Sequence, residues 1–213
     1  MALSKVDYNS LNVTAAASKA IKWNSTPNGF ETGDIAGALV LLATETASSS
    51  ATVTFDSNID STYKEYQIQF IDVHPATDTQ PLTMNFRDGS TAYDATKTTT
   101  FFYASHDEAD TATSLTYVTG GDIAQGTGVQ NVSVNVGNGN DESCSGIINI
   151  YDPSNTTFVK HFTVRSNTYN SSDASYDLFV AGYSNHTAAL DGVQFKFASG
   201  DIDAGTIKLY GVT

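Results

Sequence analysis

The chain has little of what most catalytic and nucleic-acid chemistries are built from. Among 213 residues there is one cysteine, Cys144, so no internal disulfide can form and neither a CxxC pair nor a Cys/His zinc spacing exists. Lys and Arg number 10 against 23 Asp and Glu, a formal net charge of −13, and the cations are scattered singly. Gripping nucleic acid or an anionic bilayer takes clustered cations that displace counterions, so both partners are excluded as expectations. No run of about 18 apolar residues exists, and the opening MALSKVDYNSLNV lacks the apolar stretch of a secretory signal. The expectation is a protein made in a cytoplasm without membrane insertion. Charged residues are 15% of the chain, against about 25% in globular domains generally.

Neutral polar residues take the place of the missing charge. Thr, Ser and Asn number 28, 22 and 15, alongside 16 Gly, while 40% of residues are hydrophobic and 11% aromatic. That composition is too apolar for a disordered chain and too poor in helix formers for a helical one. From about residue 36 the dominant signal is alternation of period two, the mark of half-buried antiparallel strands. It runs through Val53 and Phe55; Tyr66, Ile68 and Phe70; Leu82, Met84 and Phe86; Val132, Val134 and Val136; Val193, Phe195 and Phe197; and Ile207 and Leu209. Turn clusters such as HPATDTQP, RDGSTAYD and ASGDIDAG separate these runs. About a dozen strands with no crossover helices mean an all-β fold, and at this length a jelly-roll-like antiparallel β-sandwich is expected over residues 35–213.

Residues 1–34 read as a separate N-terminal docking arm. Asn12 to Lys22 is Ala-rich with loosely helical spacing, and WNSTPNGFETGD stacks turn signals after it. A short Ala-rich helix is marginal alone, so the arm needs a partner surface, with Tyr8, Trp23 and Phe30 as its anchors.

Candidate chemistry is sparse. Four histidines (His74, His106, His161 and His186) stand in no recognisable arrangement, and no GxSxG elbow exists. Only five Glu are present, and the Asp residues concentrate in turns, where they accept backbone N–H bonds. No catalytic residues, no cofactor and no metal site are expected. Were an ion held, calcium on loop oxygens fits best, with Asp201 and Asp203 first and the Asn138–Glu142 loop second. The segment FFYASHDEAD places His106, Asp107 and Glu108 at a strand end. An exposed aromatic beside acidic acceptors there is a workable sugar platform, although Phe101 and Tyr103 share the parity of core residues. Tyr169 and His186 complete the loop residues expected to face a receptor.

Several strings together carry a family likeness: MALSKVDYNSL, GFETGDIAGALVLLATETASSSATVTF, DSTYKEYQIQF, NFRDGSTAYDATKTTTFF, NTTFVKHF and GTIKLYGV. The chain resembles small virion structural, tail-fibre-like proteins of marine tailed phages that infect cyanobacteria and SAR11-type bacteria. The resemblance implies a β-sandwich on the particle surface, often a homotrimer, assembled in the host cytoplasm and tied to other virion proteins by the arm. It also implies loops that meet a host-surface glycan. Alternatives are a capsid decoration or head-fibre protein, a free lectin, and a glycan-acting spike enzyme.

Overall fold

A computed structural model describes residues 19–23, 30–34 and 38–213. The chain divides into two compact units, 1–38 and 39–213.

Within the first unit, β1 (Lys19–Trp23) pairs antiparallel with β2 (Phe30–Asp34). The helical reading of Asn12–Lys22 is therefore corrected over residues 19–22, which are strand; residues 12–18 and Tyr8 lie outside the described residues. Alanine's helix preference is worth only tenths of a kcal/mol per residue over most others, less than the cross-strand contacts that the hairpin offers. Its strand faces differ. Lys22 meets Glu31 at 3.5 Å on one, and Trp23 stacks on Phe30 on the other, with ring centroids 4.5 Å apart.

The second unit is all-β. Its strands are β3 (Leu39–Ser50), β4 (Val53–Phe55), β5 (Glu65–Pro75), β6 (Leu82–Arg87), β7 (Lys97–Asp107), β8 (Thr113–Tyr117), β9 (Gln130–Asn131), β10 (Cys144–Tyr151), β11 (Lys160–Asn170), β12 (Ala174–Ser184), β13 (Gly192–Phe197) and β14 (Ile202–Val212). They form an eight-stranded sheet of order β3-β14-β5-β10-β11-β12-β7-β8 and a four-stranded sheet of order β4-β13-β6-β9, with antiparallel pairing throughout.

Setting aside β7, β8, β11 and β12 leaves eight strands whose chain crosses between the sheets at every step but one, β6 to β9. The orders β3-β14-β5-β10 and β4-β13-β6-β9 are then those of a jelly roll, a β-hairpin ribbon folded into two Greek keys. The four other strands are two insertions, β7–β8 and β11–β12, that pair with each other and widen one sheet beyond the standard roll.

The alternating residues fill the space between the sheets. Tyr66, Ile68 and Phe70 on β5, Met84 and Phe86 on β6, Ile148 on β10, Phe195 on β13, and Ile207 and Leu209 on β14 are all fully buried. Fully burying a side chain of this size contributes about 1.5–3 kcal/mol. Phe86 and Phe162 meet edge to face across the sheets at 5.1 Å. Gly205 is required where β14 shifts register against β5: its φ is +123°, and a Cβ there would lie 2.7 Å from the Val73 backbone.

Opposite the widened half, the covering layer is irregular. Residues 118–136 lie over the inner face and bond to it through polar side chains: Thr99 Oγ1 donates to Gln130 Oε1 at 2.6 Å, and Ser166 Oγ donates to the Val132 carbonyl at 2.7 Å. The alternation at Val132, Val134 and Val136 belongs to this segment. Val132 and Val136 are buried, yet among the described residues the run is paired only by the Val132 N–H on the Leu82 carbonyl and by the bridge of Val136 to Gln80, so the strand expected there is corrected to an extended cover.

Candidate functional site

The outward face of the large sheet carries aromatic residues where alternation alone would place small polar ones. Register alignment explains the arrangement. Phe102 on β7 lies opposite Phe179 on β12, which lies opposite Arg165 on β11, which lies opposite Ile147 on β10. Two residues along each strand runs a row of small and amide side chains: Thr100, Ala181, Thr163, Asn149 and Gln67. Beyond it Tyr183 pairs with His161, their rings 6.2 Å apart. Low residues between two rows of large ones make a trough. Its parts are an open depression of about 470 Å³ beside Phe179 and Arg165 and another of about 320 Å³ beside Tyr183, with Thr163 and Ala181 in the floor of both.

The walls are held by specific contacts. Phe102 and Phe179 stack with centroids 5.0 Å apart and planes 7° from parallel. The Arg165 guanidinium lies 5.1 Å from the Phe179 ring centre and forks onto Asp177, Nε to Oδ1 at 3.2 Å and Nη2 to Oδ2 at 3.0 Å. That hydrogen-bonded carboxylate holds the guanidinium pKa above its usual value. At the other end an amide ladder crosses the strands: Gln69 Nε2 donates to Gln67 Oε1 at 3.0 Å, and Gln67 Nε2 to Asn149 Oδ1 at 3.1 Å. The result is a surface with flat apolar faces and amide hydrogen-bonding groups and, among the described residues, no unneutralised Lys, Arg, Asp or Glu lining the two depressions.

The residues expected to face a receptor are divided between the ends of the sheet. His106, Asp107, Glu108 and Tyr169 come together at one end, where Tyr169, Ser175 and His106 form one cross-strand row. His106 Nε2 lies 3.1 Å from Asp110. Asp107 spends its carboxylate on the turn after β7: its oxygens accept from the Thr111 hydroxyl, the Thr111 N–H at 2.9 Å and the Ala112 N–H at 2.8 Å, which hold its pKa down to about 2. Glu108 is exposed, and its N–H donates to the Asp173 carbonyl. The Tyr169 hydroxyl donates to Asp173 at 3.3 Å; desolvation and the nearby Glu108 and Asp173 charges push its pKa up to about 12.

His186 is at the opposite end and serves the fold. Its Nε2 accepts the Thr96 N–H at 2.7 Å, which leaves the ring proton on Nδ1, 3.2 Å from Asp88.

Asp203 lies with Asp72, His74, Asp141 and Glu142 around an open depression of about 510 Å³, and Asp201 does not line it. Asp203 Oδ2 is 3.7 Å from His74 Nδ1, and Glu142 turns back to accept the Gly139 N–H. Among the described residues no three His, Cys, Asp or Glu side chains converge in a way that could hold a metal ion. Among the described residues no helix is long and apolar enough to cross a membrane. In the arm's hairpin, Trp23 and Phe30 are both exposed.

Phe102, Phe179, Arg165 and Gln67 were not singled out by sequence reasoning. The available signal was parity: Phe101 and Tyr103 point inward, so Phe102 between them must face out. Comparison with protein-family models, with curated proteins and with solved structures finds no match.

Proposed function

We propose that the chain is a surface component of a tailed-phage particle, a non-catalytic attachment module that holds host-surface glycan on the outer face of its large sheet. The observation that carries this reading is the Phe102–Phe179 stack set beside Arg165 and the Gln67–Asn149 amides along one trough. Aromatic faces bind the C–H faces of sugars, and planar amides and guanidinium groups exchange hydrogen bonds with hydroxyls. Building the site on paired strands fixes these groups in advance, which lowers the ordering entropy lost on binding.

Placement on a particle follows from the sequence resemblance, and the jelly roll, a fold of viral coat and lectin domains, agrees with it by analogy. Docking is assigned to the arm. A two-stranded hairpin is marginal alone, and the exposed Trp23–Phe30 pair gives it an apolar face to bury against another virion protein. Trimeric assembly in the host cytoplasm is carried over from the resemblance. A non-catalytic role is favoured because the titratable groups lining the trough are His161 and Tyr183, packed on each other, and Arg165, closed on Asp177.

The test is retention of the full chain on host cell-surface polysaccharide, compared with Phe179→Ala and Phe102→Ala. Retention without sugar release, lost in both variants, supports attachment. Release of oligosaccharide points to a spike enzyme. Neither retention nor release points to capsid decoration or a head fibre.

A further inference from the structure

An exposed phenylalanine on a pinned loop lies next to the trough. Phe158 is 70% exposed in the segment between β10 and β11, yet that segment is tied at many points. Lys64 Nζ meets Asp152 Oδ1 at 2.8 Å, and Asn155 Nδ2 donates to Asp152 Oδ2 at 2.8 Å. The N–H groups of Thr157 and Phe158 both donate to Asn155 Oδ1 at 2.7 Å, and the Leu190 N–H donates to the Pro153 carbonyl at 2.9 Å. A large apolar ring is thus held out in water by a loop that lacks freedom to fold it away. It borders an open depression of about 550 Å³ with Tyr151, Thr157 and His161. His161 also walls the trough beside Tyr183, so one imidazole borders both depressions.

We infer that the glycan site is bipartite and takes an extended, uncharged oligosaccharide: one part rests on Phe102 and Phe179, and a later part reaches past His161 onto Phe158 and Tyr151. The inference rests on the sheet-face reading above and names the ligand class for it. Spacing sets the length. Phe179 and Tyr183 are four residues apart on β12, roughly 13 Å at strand rise, and Phe158 lies beyond the His161 that pairs with Tyr183. One sugar unit cannot touch both parts. Charge sets the class. Among the described residues, the Arg and Lys along the path are closed on carboxylates as Arg165–Asp177 and Lys64–Asp152, so neither is left to pair with a uronate or sulfate, while the chain's net charge of −13 repels polyanions.

The experiment is calorimetric titration of the full chain with size ladders, disaccharide to octasaccharide, of neutral glucans and mannans and of acidic alginate. Wild type, Phe158→Ala and Phe179→Ala are compared. Phe158 is exposed, so its truncation leaves the fold intact.

Expected is an affinity for a neutral ladder that climbs with length and then levels. Phe179→Ala weakens every member, and Phe158→Ala weakens only the long members, by roughly three- to tenfold. Should Phe158→Ala leave long members unaffected, or alginate bind more tightly than the neutral ladders, the bipartite, uncharged assignment falls while the sheet-face reading stands, provided Phe179→Ala still weakens binding. Should wild type bind no ladder, or Phe179→Ala change nothing, the sheet-face reading falls and this inference with it.

Discussion

Lys97 and Lys160 flank Ser184 from opposite sides, each its cross-strand partner on the inner face of the large sheet, and both lysines are fully buried. Among the described residues no carboxylate touches either ammonium. Lys97 Nζ donates to the carbonyls of Ala95 at 3.0 Å and Gly128 at 2.7 Å; Lys160 Nζ donates to those of Ala188, at 2.7 Å, and His186. Burial lowers both pKa values, that of Lys97 from 10.5 to about 8, with Asp94 and Asp88 opposing from a distance.

The pH dependence follows in sign. Between pH 8 and 10.5 the unfolded chain binds a proton that folded Lys97 has lost, so stability rises with pH through that window. Urea unfolding of wild type and Lys97→Met at pH values spanning the window gives a difference curve. The wild type should gain stability relative to the variant as pH rises; parallel curves would show that the ammonium is not desolvated.

Asp107 works at the acid end. Its carboxylate, held at about 2 by the Thr111 hydroxyl first and the Ala112 N–H next, stabilises the fold above the ordinary 3.8 and loses that effect as pH falls toward 2. Asp107→Asn should speed amide exchange at Thr111 and Ala112 at neutral pH while leaving β11 protected. Unchanged exchange at both amides would remove the carboxylate from its role in the turn.

Strand content was legible because the inward residues of β5, β6, β13 and β14 are large and apolar and their outward neighbours are polar. The widened half hid better. There the inward positions include Lys97, Thr99, Ser166 and Thr168, buried polar residues partly satisfied by the 118–136 segment, and no sequence period marks such a core. The trough was hidden for a different reason. Phe102, Arg165 and Phe179 become neighbours only because β7, β12 and β11 pair, and pairing between insertions far apart in sequence leaves no local trace. Asp107 and His186 were visible as polar residues near strand ends, but whether they faced a ligand or their own backbone depended on which N–H groups came within reach.

Cys144 is buried at the start of β10, and desolvation foremost pushes its thiol pKa up to about 12. The thiolate is the reactive form, so a disulfide reagent at pH 8 should find no thiol in the native protein and one in denaturant. Native labelling at the rate of a free thiol would mean that this end of β10 opens readily.

The strongest structural test is removal of β14. The strand pairs with β3 on one side and β5 on the other, and its Ile207 and Leu209 are fully buried. Ending the chain after Asp203 takes both side chains from the core and leaves β3 with no partner strand in its sheet and β5 with one free edge. Leu39, Val40 and Leu41 on β3 are already exposed, so the freed strand would be long and apolar in its first half, the type that pairs with other chains. Each lost core residue costs about 2–5 kcal/mol, and two approach the whole stability of a typical domain. The truncated protein should therefore collect as aggregate, and light scattering after affinity purification would check it. A monodisperse monomer with wild-type strand content would mean that the jelly roll closes without this strand, and the sheet order described here would be wrong.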